Sequence, residues 1–253
     1  MMTVMVTFRD DFRSRKEEIG EYFSFLEKLQ AIEETTDEGK NFDAIFNDET
    51  FFSDTLDYYS DTSFQKIINI MKSNLSLMVY NLIEFTVTNL MACIYDEIAE
   101  DQLPYEKVSQ PIRALWRKSM LKGAKDPEAK YSTFIRKNED IINAILNKET
   151  ISINVRETMP AGNLDGNKID EVFTNHGIHI QRNSKNFRPD ILMDVKEHRN
   201  NLAHGSASFV DELRQKTLND FQSNILVVEN FLEELISLVE QYLTNGEYKA
   251  EAV

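Results

Sequence analysis

Of the four histidines in this 253-residue sequence, one sits five positions after an arginine, and the arginine is followed directly by an asparagine: Arg199, Asn200, then His204. Imidazole titrates near neutral pH, so His204 can take a proton and give it back. The Arg199 guanidinium stays charged and can clamp developing negative charge with two parallel hydrogen bonds. Asn200 can orient either partner through its amide. Together they suit a reaction in which a proton moves while charge gathers on an oxyanion.

Other residues invite weaker readings. Glu84 lies inside a long apolar run, and a carboxylate there needs a cationic or hydrogen-bonding partner. Arg199 is one candidate, and Tyr80, Asn81 or another arginine are the others. Asn201, with Arg117 and Lys118 in a basic stretch, could hold a substrate. His176 and His179 are three apart, but Gly177 separates them and no clustered acids follow, so the sequence implies no metal and no cofactor. His198 is expected on a solvent-facing side of its helix. Asn163, Asp165 and Asp170 suit a turn and a helix start. Phosphate-binding loops, dinucleotide fingerprints and His-Glu-x-x-His zinc motifs do not occur in the sequence.

The elements that must carry these residues read as helices. Apolar residues recur at helical spacing over Asp11–Glu33 and again over Ser63–Ala99, where they occupy most faces, as expected of a central helix. Further helices are expected at Tyr105–Lys122, Pro127–Leu146 and Asn167–His176, the last stopped by Gly177. Residues 150–186 read as an inserted segment of turns and short helix, with Thr150–Arg156 as a short strand or an extended link. Phe187–His204 is the next long helix, stopped by Gly205. Ser206 or Ser208 is expected to cap the last one, whose apolar seam runs from Leu218 to Tyr242. The expected class is all-α, a single-domain helical bundle over 1–253.

Composition narrows the class further. The net charge of −15 argues against a general nucleic-acid coat protein. It leaves room for a local patch, and Tyr105–Lys137 holds nine basic residues against three acids. Residues 34–62 go the other way, with nine acids against Lys40 and six aromatics. They read either as a loop packed on the core or as a docking or guarding segment. Cys93 stands alone, which suits a reducing, cytoplasmic setting. The apolar start is interrupted by Arg9, Asp10 and Asp11, unlike a secretory signal. The polar residues within Asn74–Tyr95 suit a buried core helix better than a membrane span.

The run Glu197-His198-Arg199-Asn200-Asn201-Leu202-Ala203-His204-Gly205 resembles the signature of the HEPN superfamily, and is similar to its prokaryotic defence and toxin branches (RiboL-PSP-HEPN-like). Arg199, Asn200 and His204 fill that motif without departure. The resemblance implies a four- or five-helix bundle that dimerises and acts as a metal-independent endoribonuclease, with a toxin–antitoxin or antiphage role and an antitoxin or regulatory partner. Cleavage by the 2′-hydroxyl would leave 2′,3′-cyclic phosphate and 5′-hydroxyl ends. The alternative is a non-catalytic helical module that binds a nucleotide, RNA or protein partner. Residues five apart on a helix diverge by about 140°. Either the Gly205 break turns His204 back, or a second copy of the chain supplies the missing group.

Overall fold

The computed structural model describes residues 2–35, 63–122, 131–160 and 162–250. Nearly all of the acidic 34–62 stretch lies outside the described residues. The chain is all-α: α1 (Met2–Thr35), α2 (Ser63–Glu100), a 3-10 turn (Tyr105–Lys107), α3 (Gln110–Met120), α4 (Tyr131–Leu146), α5 (Val155–Thr158), α6 (Gly166–Asn175), α7 (Pro189–Ala203) and α8 (Leu218–Thr244). Among the described residues the only β features are isolated bridges, Pro104–Thr150 and Val108–Lys249. The helices sort into two compact units interleaved along the chain.

The first unit comprises Met1–Phe12, Ile83–Met193 and Leu226–Val253. Its centre is the second half of α2, where Ile83, Val87, Leu90, Met91 and Ile94 are fully buried. Its buried positions, Leu82, Ile83, Thr86, Val87, Leu90, Met91, Ile94 and Ile98, recur three or four apart, while Asn81 and Asp96 face solvent. Taken whole, α2 has the length and hydropathy of a membrane-crossing helix, with 56% of its most apolar window buried inside the protein. α1 begins well before the expected Asp11. Met5, Phe8 and Phe12 continue its buried stripe, and Arg9 is taken up by Glu240 at 2.6 and 2.7 Å instead of ending the helix.

The stretch expected as one helix from Tyr105 splits before α3, because Pro111 lacks the N–H that a helix interior needs and instead suits a first turn. Residues 150–154 form an extended link: Ile151 and Ile153 are buried while Ser152 and Asn154 are exposed. Asp165 caps α6 by accepting the Lys168 N–H at 2.9 Å. Gly177 ends it with φ +83°. α4 keeps large apolar side chains in solvent, among them Tyr131, Phe134, Ile142 and Leu146.

The second unit comprises Arg13–Leu82 and Asp194–Ile225. Its core joins Phe23, Leu26 and Leu29 of α1, Ile68, Leu75 and Val79 of α2, and Leu202, Leu213 and Phe221. Polar side chains of α2 are buried here to hold the non-helical residues 204–217. Ser73 Oγ donates to the Phe209 carbonyl at 2.8 Å, and Lys72 Nζ to that of Lys216 at 3.1 Å. The expected caps at Ser206 or Ser208 are not used. α8 starts at Leu218, where Thr217 Oγ1 accepts the Asp220 N–H and Asp220 Oδ2 accepts the Thr217 N–H, a reciprocal cap. Ser208 instead accepts the Asp211 N–H within a turn.

Candidate functional site

The Arg199–His204 run occupies the C-terminal end of α7, in the second unit. Leu202 anchors the turn in the core, while Arg199 and Asn200 are half-buried and His204 is exposed. Arg199 Nη1 donates to Asn200 Oδ1 at 3.0 Å, and the guanidinium carbon lies 5.0 Å from the centre of the Tyr80 ring on α2. A cation over a buried aromatic face is attracted to its quadrupole and restrained in plane. The Asn200 amide therefore orients the arginine.

His204 is the residue that ends the helix. Its N–H donates to the Asn200 carbonyl at 2.9 Å, one last helical bond. Gly205 follows at φ +69°, its N–H reaching Leu202 O at 3.3 Å while that of Ser206 reaches Asn201 O at 2.9 Å. This is the glycine-terminated Schellman ending. Because the helical ladder runs through His204, the glycine break comes one residue too late to turn it back. The Cβ directions of Arg199 and His204 keep the helical divergence of about 140°. Among the described residues the imidazole makes no hydrogen bond or ion pair, which leaves it open to a ligand or a second chain.

His198 corrects the expectation of solvent exposure: its side chain is only 17% exposed. Nδ1 lies 2.7 Å from Glu212 Oε1, and since a carboxylate only accepts, Nδ1 carries the proton. Nε2 lies 3.3 Å from Asp194 Oδ1, within ion-pair range but without hydrogen-bond alignment. Asn201 Nδ2 donates to the same Glu212 oxygen at 3.0 Å, so this amide is already engaged. Lys216 Nζ closes the chain of contacts on Asp194 Oδ2 at 2.7 Å. Beside them a cleft lined by Val79, Val195, Leu213 and Phe221 has room for about one water.

The remaining candidates belong to the first unit. Glu84 is half-buried on α2, and Arg117 and Lys118 are exposed in the last turn of α3, where cations suit the negative end of the helix dipole. His179 is exposed but His176 is fully buried. Its Nδ1 is 2.7 Å from Val172 O and its Nε2 2.6 Å from the Tyr95 hydroxyl. Burial pushes its pKa down to about 4, so it is a neutral core residue at pH 7. Burial likewise pushes the Cys93 thiol up to about 11, which leaves it inert as a nucleophile.

The model of the family described as HEPN_MAE_28990/-like HEPN matches residues 6–248. The chain belongs to this HEPN family. No curated protein and no solved structure matches it. The all-helical architecture is that of the HEPN resemblance, and the match takes in both compact units. Sequence reasoning missed Asp194 and Glu212 beside the Arg199–His204 run, and named Tyr80 only as a partner for Glu84, not as the ring under Arg199. The spacing of Asp194 and His198, one helical turn apart, carried a faint signal of the first.

Proposed function

We propose that this HEPN protein is a metal-independent endoribonuclease in which Arg199, Asn200 and His204 form the reacting group. The observation that carries the reading is the state of the motif. The arginine is pre-oriented by Tyr80 and Asn200, and the imidazole is exposed at an open helix end. His204 accepts the proton of the attacking 2′-hydroxyl, and Arg199 stabilises the charge on the phosphorus oxygens. The products carry 2′,3′-cyclic phosphate and 5′-hydroxyl ends. The divergence of the two side chains within one helix favours a homodimer in which the histidine of one copy serves the arginine of the other. Exposed Arg117 and Lys118 take the RNA backbone. The setting is cytoplasmic, in toxin–antitoxin or antiphage defence, with an antitoxin or regulatory protein as restraint.

The test is cut-site and end-group mapping on total RNA with wild type, Arg199→Ala and His204→Ala. Wild type is expected to cleave in the presence of EDTA and both variants to lose cleavage while staying folded. Equal cleavage by His204→Ala overturns the reading. The same divergence also favours, for a chain that stays monomeric, a non-catalytic module that binds nucleotide, RNA or protein. In that case wild-type expression leaves bacterial growth unaffected, whereas a nuclease slows it in a His204-dependent way.

A further inference from the structure

The network behind the motif is made of groups that the proposed chemistry does not use. On α7, 100° per residue puts His198 and Asn201 together on one face, with Arg199 and Asn200 on the opposite one. Glu212 reaches that rear face from the non-helical segment 204–217. Its side chain is 7% exposed, and a carboxylate that far from water is stable only if donors surround it. One oxygen, Oε1, receives both the His198 Nδ1–H and the Asn201 amide.

The segment itself is tied at three points. Phe209 is held by Ser73 of α2, Glu212 by α7, and Lys216 by both Lys72 of α2 and Asp194 of α7. Of the three, Glu212 alone grips the turn that carries Arg199. Asn201 adds a second link, since its carbonyl accepts the Ser206 N–H while its side chain binds Glu212.

We propose that Glu212 is a positioning residue: by bridging His198 and Asn201 it locks the last turn of α7 onto the 204–217 segment and fixes the directions of Arg199 and His204. Its functional half rests on the ribonuclease reading above. A loosened turn still binds RNA through contacts elsewhere but aligns base and clamp less often, so the loss falls on kcat.

The test compares wild type, Glu212→Ala and Glu212→Gln on an RNA oligonucleotide containing one mapped cut site, at a temperature where all are folded. Glu212→Ala is expected to lower kcat at least tenfold with KM changed less than about threefold. Glu212→Gln, whose amide oxygen still accepts both donors, should recover most of kcat. An unchanged kcat in Glu212→Ala, or a loss that appears in KM alone, overturns the proposal. If Glu212→Ala does not fold, His198→Phe, which keeps the Asn201 link, is judged by the same criteria. If wild type does not cut RNA, the ribonuclease reading fails by itself, and amide exchange decides the clamp. Amides of 206–216 exchange at least tenfold faster in Glu212→Ala if the clamp exists, and at the wild-type rate if it does not.

Discussion

Acid should unfold this protein partly through one histidine outside the motif, His176. His176 is fully buried, its Nδ1–H donated to Val172 O and its Nε2 2.6 Å from the Tyr95 hydroxyl. With a folded pKa of about 4 against an ordinary value near 6.5, the unfolded chain binds the extra proton first. Stability is therefore full above pH 6.5 and falls as the pH drops from there to 4. Integrating the linkage gives a loss of about 1 kcal/mol by pH 6, about 2 by pH 5 and about 3 by pH 4. Urea denaturation at pH 7, 6 and 5, for wild type and His176→Phe, isolates this from the carboxylates that both share. The variant starts less stable, because Val172 O loses its donor, but its stability should fall by about 2 kcal/mol less between pH 7 and 5. Parallel curves would refute the assignment of a neutral core histidine.

Two glycines should respond differently to alanine. At Gly205 a Cβ meets open space but the residue sits at φ +69°, so thermal denaturation should show a loss of about 1 kcal/mol. At Gly166 a Cβ would lie 2.9 Å from Pro189 Cα; the backbone must move, and the loss should exceed that at Gly205. Reversing Arg117 and Lys118 to Glu should weaken binding of single-stranded RNA and flatten its salt dependence. The slope of log K against log salt falls by about 0.7 for each phosphate that the protein no longer neutralises, and an unchanged slope removes both residues from the RNA path.

What was readable in the sequence was local. Arg199, Asn200 and His204 are neighbours in the chain, and the seam of α8 repeats every three or four residues, so Val228, Leu232, Leu235 and Val239 were expected in the core and are buried there. Glu212 was invisible because the chain leaves the helix after Ala203, and no periodicity relates position 212 to 198. His198 was misplaced for the same reason, since what covers it is that irregular segment. The caps show how little one residue type decides. Ser208 and Thr217 carry the same hydroxyl chemistry and each has an aspartate three residues on, yet only Thr217 is followed directly by a core-facing residue, Leu218, where Ser208 is followed by exposed Phe209.

The late position of Gly205 has a further consequence for the motif. A glycine before the histidine would have freed it to fold back on Arg199, and one chain could then hold both groups at one phosphate. Placed after it, the glycine keeps the imidazole on the helical ladder and turns the following chain toward Ser73 of α2 and His198 and Asp194 of α7 instead. Fixing the histidine in a direction its own arginine does not share gives up flexibility at the proposed reacting group. That arrangement is useful where the complementary half is presented by another copy at a fixed angle, because both halves are then rigid before they meet.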